Sequence, residues 1–124
     1  MTAEPMLSLR DALVVLHRAL LDHERRQYEK AFGRIPGNGA FLQLMLHNAW
    51  FSWLRPLGGL IARLDERLAK KEPLTEEEAA GFMDEVRAFV AQRRYEGVLQ
   101  ESAELVVAHG AVAGVIAAGV VEGD

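Results

Sequence analysis

The chain has 124 residues, half of them hydrophobic and about a quarter charged, with a formal charge of −4 and no cysteine. That fits one compact domain able to bury a core without disulfides or metal, and it excludes a disulfide scaffold, a thiolate-held zinc or iron-sulfur site and thiol catalysis. Residues 1–95 hold all 14 Lys and Arg and carry +1, whereas residues 96–124 hold five acids and no base and carry −5. A near-neutral body with a base-free tail lacks the clustered cations that phosphate binding needs, so nucleic acid is not an expected partner.

Met1–Arg10 has no charged stretch followed by an apolar run and a cleavage site, so no secretory signal is expected and the expected compartment is the cytoplasm. Ser8 and Asp11 have the spacing of a capping box, and Leu9, Leu13, Leu16 and Leu20 follow at helical steps. This predicts a first helix of roughly 20 to 25 residues ending near Phe32-Gly33. Val14, Leu21 and Tyr28 form a second apolar row, and Asp22 and Arg26 are placed for an i,i+4 pair. His17 and His23 are read as exposed. Gly33, Pro36, Gly37 and Gly39 then break the chain.

Asn38 is the expected N-cap of the second helix, whose residues Ala40 to Leu54 carry no charge and are apolar nearly all round. That pattern predicts a central helix surrounded by others. Pro56 removes a backbone donor, so a kink or break is expected there, after which Leu57, Leu60, Ile61, Leu64 and Leu68 continue a narrower stripe. Thr75 and Glu78 form a capping box for the third helix, with Ala79, Phe82, Met83, Val86, Phe89 and Val90 recurring at steps of three and four up to about Arg94. The basic doublets Arg25-Arg26, Lys70-Lys71 and Arg93-Arg94 then fall near helix C-termini, where cations suit the dipole.

The tail differs in character. Leu105 to Val121 is 17 residues without a charge, 13 of them Ala, Val, Leu or Ile. Ser102 can cap a short helix ending at His109-Gly110, and Ala111 to Ala118 can form another turn or two. Gly110-x-x-x-Gly114 has the spacing by which helices pack closely, but the segment sits at the lower limit of a membrane span and lacks basic or aromatic flanks. The small residues are expected to pack on the body, or on the body of a second protomer in a swapped dimer. The fold expected is therefore all-α: one domain over 1–124, a three-helix up-down-up body over 1–95 with the second helix kinked near Pro56, closed by a helical Ala/Gly/Val tail over 96–124 into a four-helix-like arrangement.

Motifs for chemistry are missing. There is no Gly-x-Ser-x-Gly, no Walker loop, no Gly-x-Gly-x-x-Gly after a strand, and no Glu-x-x-His or His-Glu-x-x-His metal motif. No catalytic residue and no cofactor is expected. Trp50, Phe51 and Trp53, with Arg55 beside them, put three large rings in four residues, more than one core can face. They are the candidate partner-binding residues, since Trp and Arg anchor interfaces. The function expected is non-catalytic association, with a protein partner or a second copy as homodimer. One alternative is a ligand or metal carrier with a pocket between the first two helices, using His17, Glu24 and His47 with Trp50. A second alternative is membrane attachment through the tail.

Overall fold

The structure is a computed structural model in which residues 3–123 are described, with side chains over 4–118. It is all-α. The elements are α1 Ala3–Phe32, α2 Asn38–His47, a 3-10 segment Ala49–Leu54, α3 Arg55–Leu68, α4 Glu76–Val90, α5 Arg93–Leu99 and α6 Ala103–Gly123. There is no strand among the described residues.

α1 begins five residues before Ser8, so Ser8 and Asp11 are interior rather than capping. Pro5 is no obstacle, because first-turn N–H groups have no helical partner. The longer helix adds Met6 to the predicted row, and Met6, Leu9, Leu13, Leu16 and Leu20 are all fully buried. At the other end Gly33 takes φ +96°, and its N–H donates to the Glu29 carbonyl at 2.8 Å, a left-handed C-terminal cap that a Cβ would strain. Among the described residues this end of α1 forms its i,i+4 ion pair at Arg25–Glu29, 3.8 Å apart and half-buried, rather than at the expected Asp22–Arg26.

The second predicted helix is two helices with a bend between them. Asn48 turns the backbone to an extended ψ of 138° and ends α2. Its side chain then accepts the Trp50 N–H at 2.8 Å, starting the 3-10 segment. The break thus precedes Pro56, which sits in the first turn of α3, where its missing N–H costs nothing. The expectation of a central, surrounded helix fails for α2, none of whose residues is buried. Apolarity on every side reports only that a helix lacks charge. It does not say that the same chain supplies the neighbours.

α3 buries Leu57, Leu60 and Leu64, as its stripe requires. The α4 capping box is formed in full: the Glu78 N–H donates to Thr75 Oγ1 at 3.1 Å, and the Thr75 N–H donates to Glu78 Oε1 at 3.0 Å. Arg63 grips Glu85 through two hydrogen bonds of 2.7 and 3.0 Å, and Arg67 reaches Glu78 at 2.8 Å, fastening α3 to α4. Arg10 ties α1 to α3 through Asp65 at 3.0 Å.

α4 ends at Val90, and Arg93-Arg94 open α5 instead of closing α4. A cation at the start of a helix is not a dipole cap, so these arginines are placed by what they meet. α6 is one continuous helix through His109-Gly110, not two short ones. The Leu105 N–H donates to Ser102 Oγ at 3.3 Å, the predicted cap. Leu105, Ala108 and Val112 are buried, and α6 lies along α1 as the most extensive helix pairing in the molecule. The tail therefore packs on its own body. On the opposite side of α6, beyond Glu104 in the first turn, Val106, Val107, Gly110, Ala111 and Gly114 are exposed and uncharged.

Candidate functional site

The 3-10 geometry decides where the aromatic cluster points. With three residues per turn, positions i and i+3 eclipse, so Phe51 and Leu54 form one row and Trp50 and Trp53 another. Phe51 and Leu54 are buried in the core, and the two tryptophans stand half-buried on its flank. Trp53 stacks on Phe89 with ring centres 5.7 Å apart and planes 4° from parallel. Trp50 meets Tyr28 and Phe32 edge-on at 5.7 and 5.8 Å. Both indole N–H groups are buried with no acceptor. Arg55 is occupied within the chain: its guanidinium donates to the carbonyls of Met45 at 3.0 Å and Asn48 at 2.9 Å, holding the end of α2.

Beside Trp50 an open cleft of about 500 Å³ lies between α1 and α5, lined by Glu24 and Gln27 on one side and by Arg93, Arg94, Gly97, Val98 and Glu101 on the other. Glu24 is only 1% exposed, and its carboxylate accepts from Arg94 Nη2 at 2.8 Å. Arg94 also lies over the Trp53 ring, 5.5 Å from its centre. One residue back, His23 is 3% exposed and its Nε2 is 2.8 Å from Glu101 Oε1. Further along, the buried Tyr95 hydroxyl shares a 2.7 Å hydrogen bond with His109 Nδ1, joining α5 to α6, and burial pushes the Tyr95 phenol up to about 12. Three polar contacts thus link α1 to α5 and to the turn after it, and α5 to α6.

The residues read as a ligand or metal set lie in different places. Glu24 is on the cleft. His17, seven residues and about 10 Å along the helix axis from it, is half-buried against α3, with its Nε2 3.5 Å from where a Cβ on Gly58 would stand. Burial lowers the His17 pKa. His47 is exposed as the last residue of α2. Among the described residues no group of three or more His, Asp or Glu side chains gathers as a metal would need. His23, read as exposed, is buried. Its partner is 78 residues away, and nothing local to His23 signals it. Arg93 and Arg94 were visible only as a basic doublet, and Gly97 gave no signal at all.

A second surface belongs to α2. Phe32, Leu42 and Leu46 are 68, 47 and 52% exposed, and α2 carries no Lys, Arg, Asp or Glu. No described helix is long and apolar enough to cross a membrane. Compared with protein-family models, curated proteins and solved structures, the chain matches none of them.

Proposed function

We propose that this is a non-catalytic helical binding protein that acts by protein-protein association, its contact surface being α2 and its partner a second copy of the chain. One observation carries the reading: a ten-residue helix with no charged side chain leaves none of its residues buried. Contiguous exposed apolar surface of this kind marks an interaction site. An uncharged helix offers no electrostatic code for a charged partner. A twofold-related copy presents the same apolar ridge of Leu42 and Leu46 with Phe32 at its edge, so the surface is its own complement. Trp50 supports the ridge at Phe32, its ring 5.8 Å away, and Arg55 fixes the orientation of α2 rather than touching the partner. The reading includes a cytoplasmic setting, which a cysteine-free chain accommodates.

Light scattering and sedimentation at micromolar concentration test it, comparing the native chain with a Leu42→Asp, Leu46→Asp variant. Both side chains are about half exposed, so the variant keeps its circular dichroism and thermal transition. A dimer that becomes a monomer in the variant supports the proposal. A native chain that is monomeric throughout, or a dimer that survives the double substitution, overturns it.

A further inference from the structure

The cleft beside Trp50 has three features that the fold does not require. The first is Gly97. The α5 residues Arg93, Arg94, Gly97 and Val98 all line the cleft, and at 100° per residue Gly97 lies within that face. Glycine is the least favourable helix residue apart from proline, and its backbone here is not in the left-handed region. A Cβ at Gly97 would meet nothing within 4 Å, so no neighbour inside the chain asks for its absence.

The second feature is Arg93. It opens α5, is exposed, and has no hydrogen bond or ion pair among the described residues. The third is the balance of partners around the cleft. The carboxylates of Glu24 and Glu101 are already engaged by Arg94 and His23, which leaves the Arg93 guanidinium as the cleft cation with no carboxylate of the chain to meet.

We propose that this cleft binds a small organic carboxylate bearing a flat apolar group. The carboxylate is held by Arg93, whose planar fork matches two oxygens at once. The flat group lies over the bare α5 backbone at Gly97, between the Trp50 ring and Val98. The volume of about 500 Å³ falls within the roughly 300–1,000 Å³ of ordinary small-molecule sites. The site borders the α2 surface through Trp50, whose ring meets Phe32, but ligand binding reads the one and oligomeric state the other, so either assignment stands or falls without the other.

The chain has only two tryptophans, so its indole N–H signals in a proton-nitrogen correlation spectrum are two, assigned by Trp53→Phe. Naphthalene-2-carboxylate is the probe and its carboxamide the uncharged control. The carboxylate is expected to shift the Trp50 signal saturably at millimolar concentration and the carboxamide not. Arg93→Gln should weaken binding roughly fivefold or more, while Arg26→Gln on the exposed side of α1 leaves it unchanged. Gly97→Ala should weaken binding similarly and at the same time raise the thermal midpoint. No saturable shift, an equal response to the carboxamide, equal losses in the Arg93 and Arg26 variants, or a Gly97→Ala protein that binds as well as the native one would each overturn the proposal.

Discussion

Glu24 and Arg94, seventy residues apart in sequence, meet at 2.8 Å, the carboxylate sealed in and the guanidinium half in water. Removing the cation leaves a buried charge without its partner, which costs more than the pair itself contributes. Arg94→Ala is expected to lose about 2 kcal/mol in urea denaturation, the value moderated because solvent reaches the vacated position. Replacing both residues by Leu should recover most of that loss. A loss under about 0.5 kcal/mol in the single variant would mark the pair as an ordinary surface bridge.

The α4 cap gives a pH dependence of defined sign. The Arg67 guanidinium, followed by the Thr75 N–H, holds the Glu78 carboxyl down at about 2, against an ordinary value of 4.5. A carboxyl depressed on folding stabilises above its unfolded pKa and loses that contribution as pH falls through the folded one. Glu78→Gln should therefore lower the thermal midpoint at neutral pH, and the deficit should shrink as pH falls from about 4.5 toward about 2. Thr75→Ala removes the other half of the box, with an expected loss of about 1 kcal/mol. A Glu78→Gln deficit that stays constant down to acid pH would contradict this account.

Opposite sides of α6 should respond in opposite ways. Leu105 is fully buried, so Leu105→Ala is expected to cost about 3 kcal/mol. Val107 is exposed, and Val107→Ala should stay within about 0.5 kcal/mol. Gly110 and Gly114 have nothing within 4 Å of an added Cβ, so alanine at either should stabilise by about 0.5 to 1 kcal/mol. Destabilisation by Gly110→Ala would mean that the glycine pair packs against another surface in solution.

What could be read in advance was whatever repeats locally. The rows from Leu9 to Leu20 and from Leu57 to Leu64, and the Thr75–Glu78 box, depend on spacings of three and four and appear where expected. α2 was misplaced because periodicity measures how apolar a helix is, and no residue between Asn38 and His47 says what covers it. The role of Asn48 was missed because one asparagine side chain, by accepting the Trp50 N–H, changes the helix type and turns Trp50 and Trp53 off the core. Glu24, Arg94, His23 and Glu101 converge only after α5 and α6 fold back along α1. A long-range pairing of that kind leaves no trace in neighbouring positions.

The way α2 is attached has a consequence for local opening. It is held by the two Arg55 hydrogen bonds, by Phe41 against Phe51 at 5.6 Å and by Arg25 over the Phe41 ring at 4.7 Å, with no buried residue of its own. Its amides should therefore exchange with solvent through fraying events that leave α1, α3 and α4 protected. Whatever covers α2 would slow that exchange while the global unfolding of the remaining helices goes on unchanged. The segment that meets the outside and the segments that carry the stability then form separate cooperative units, free to vary independently under mutation.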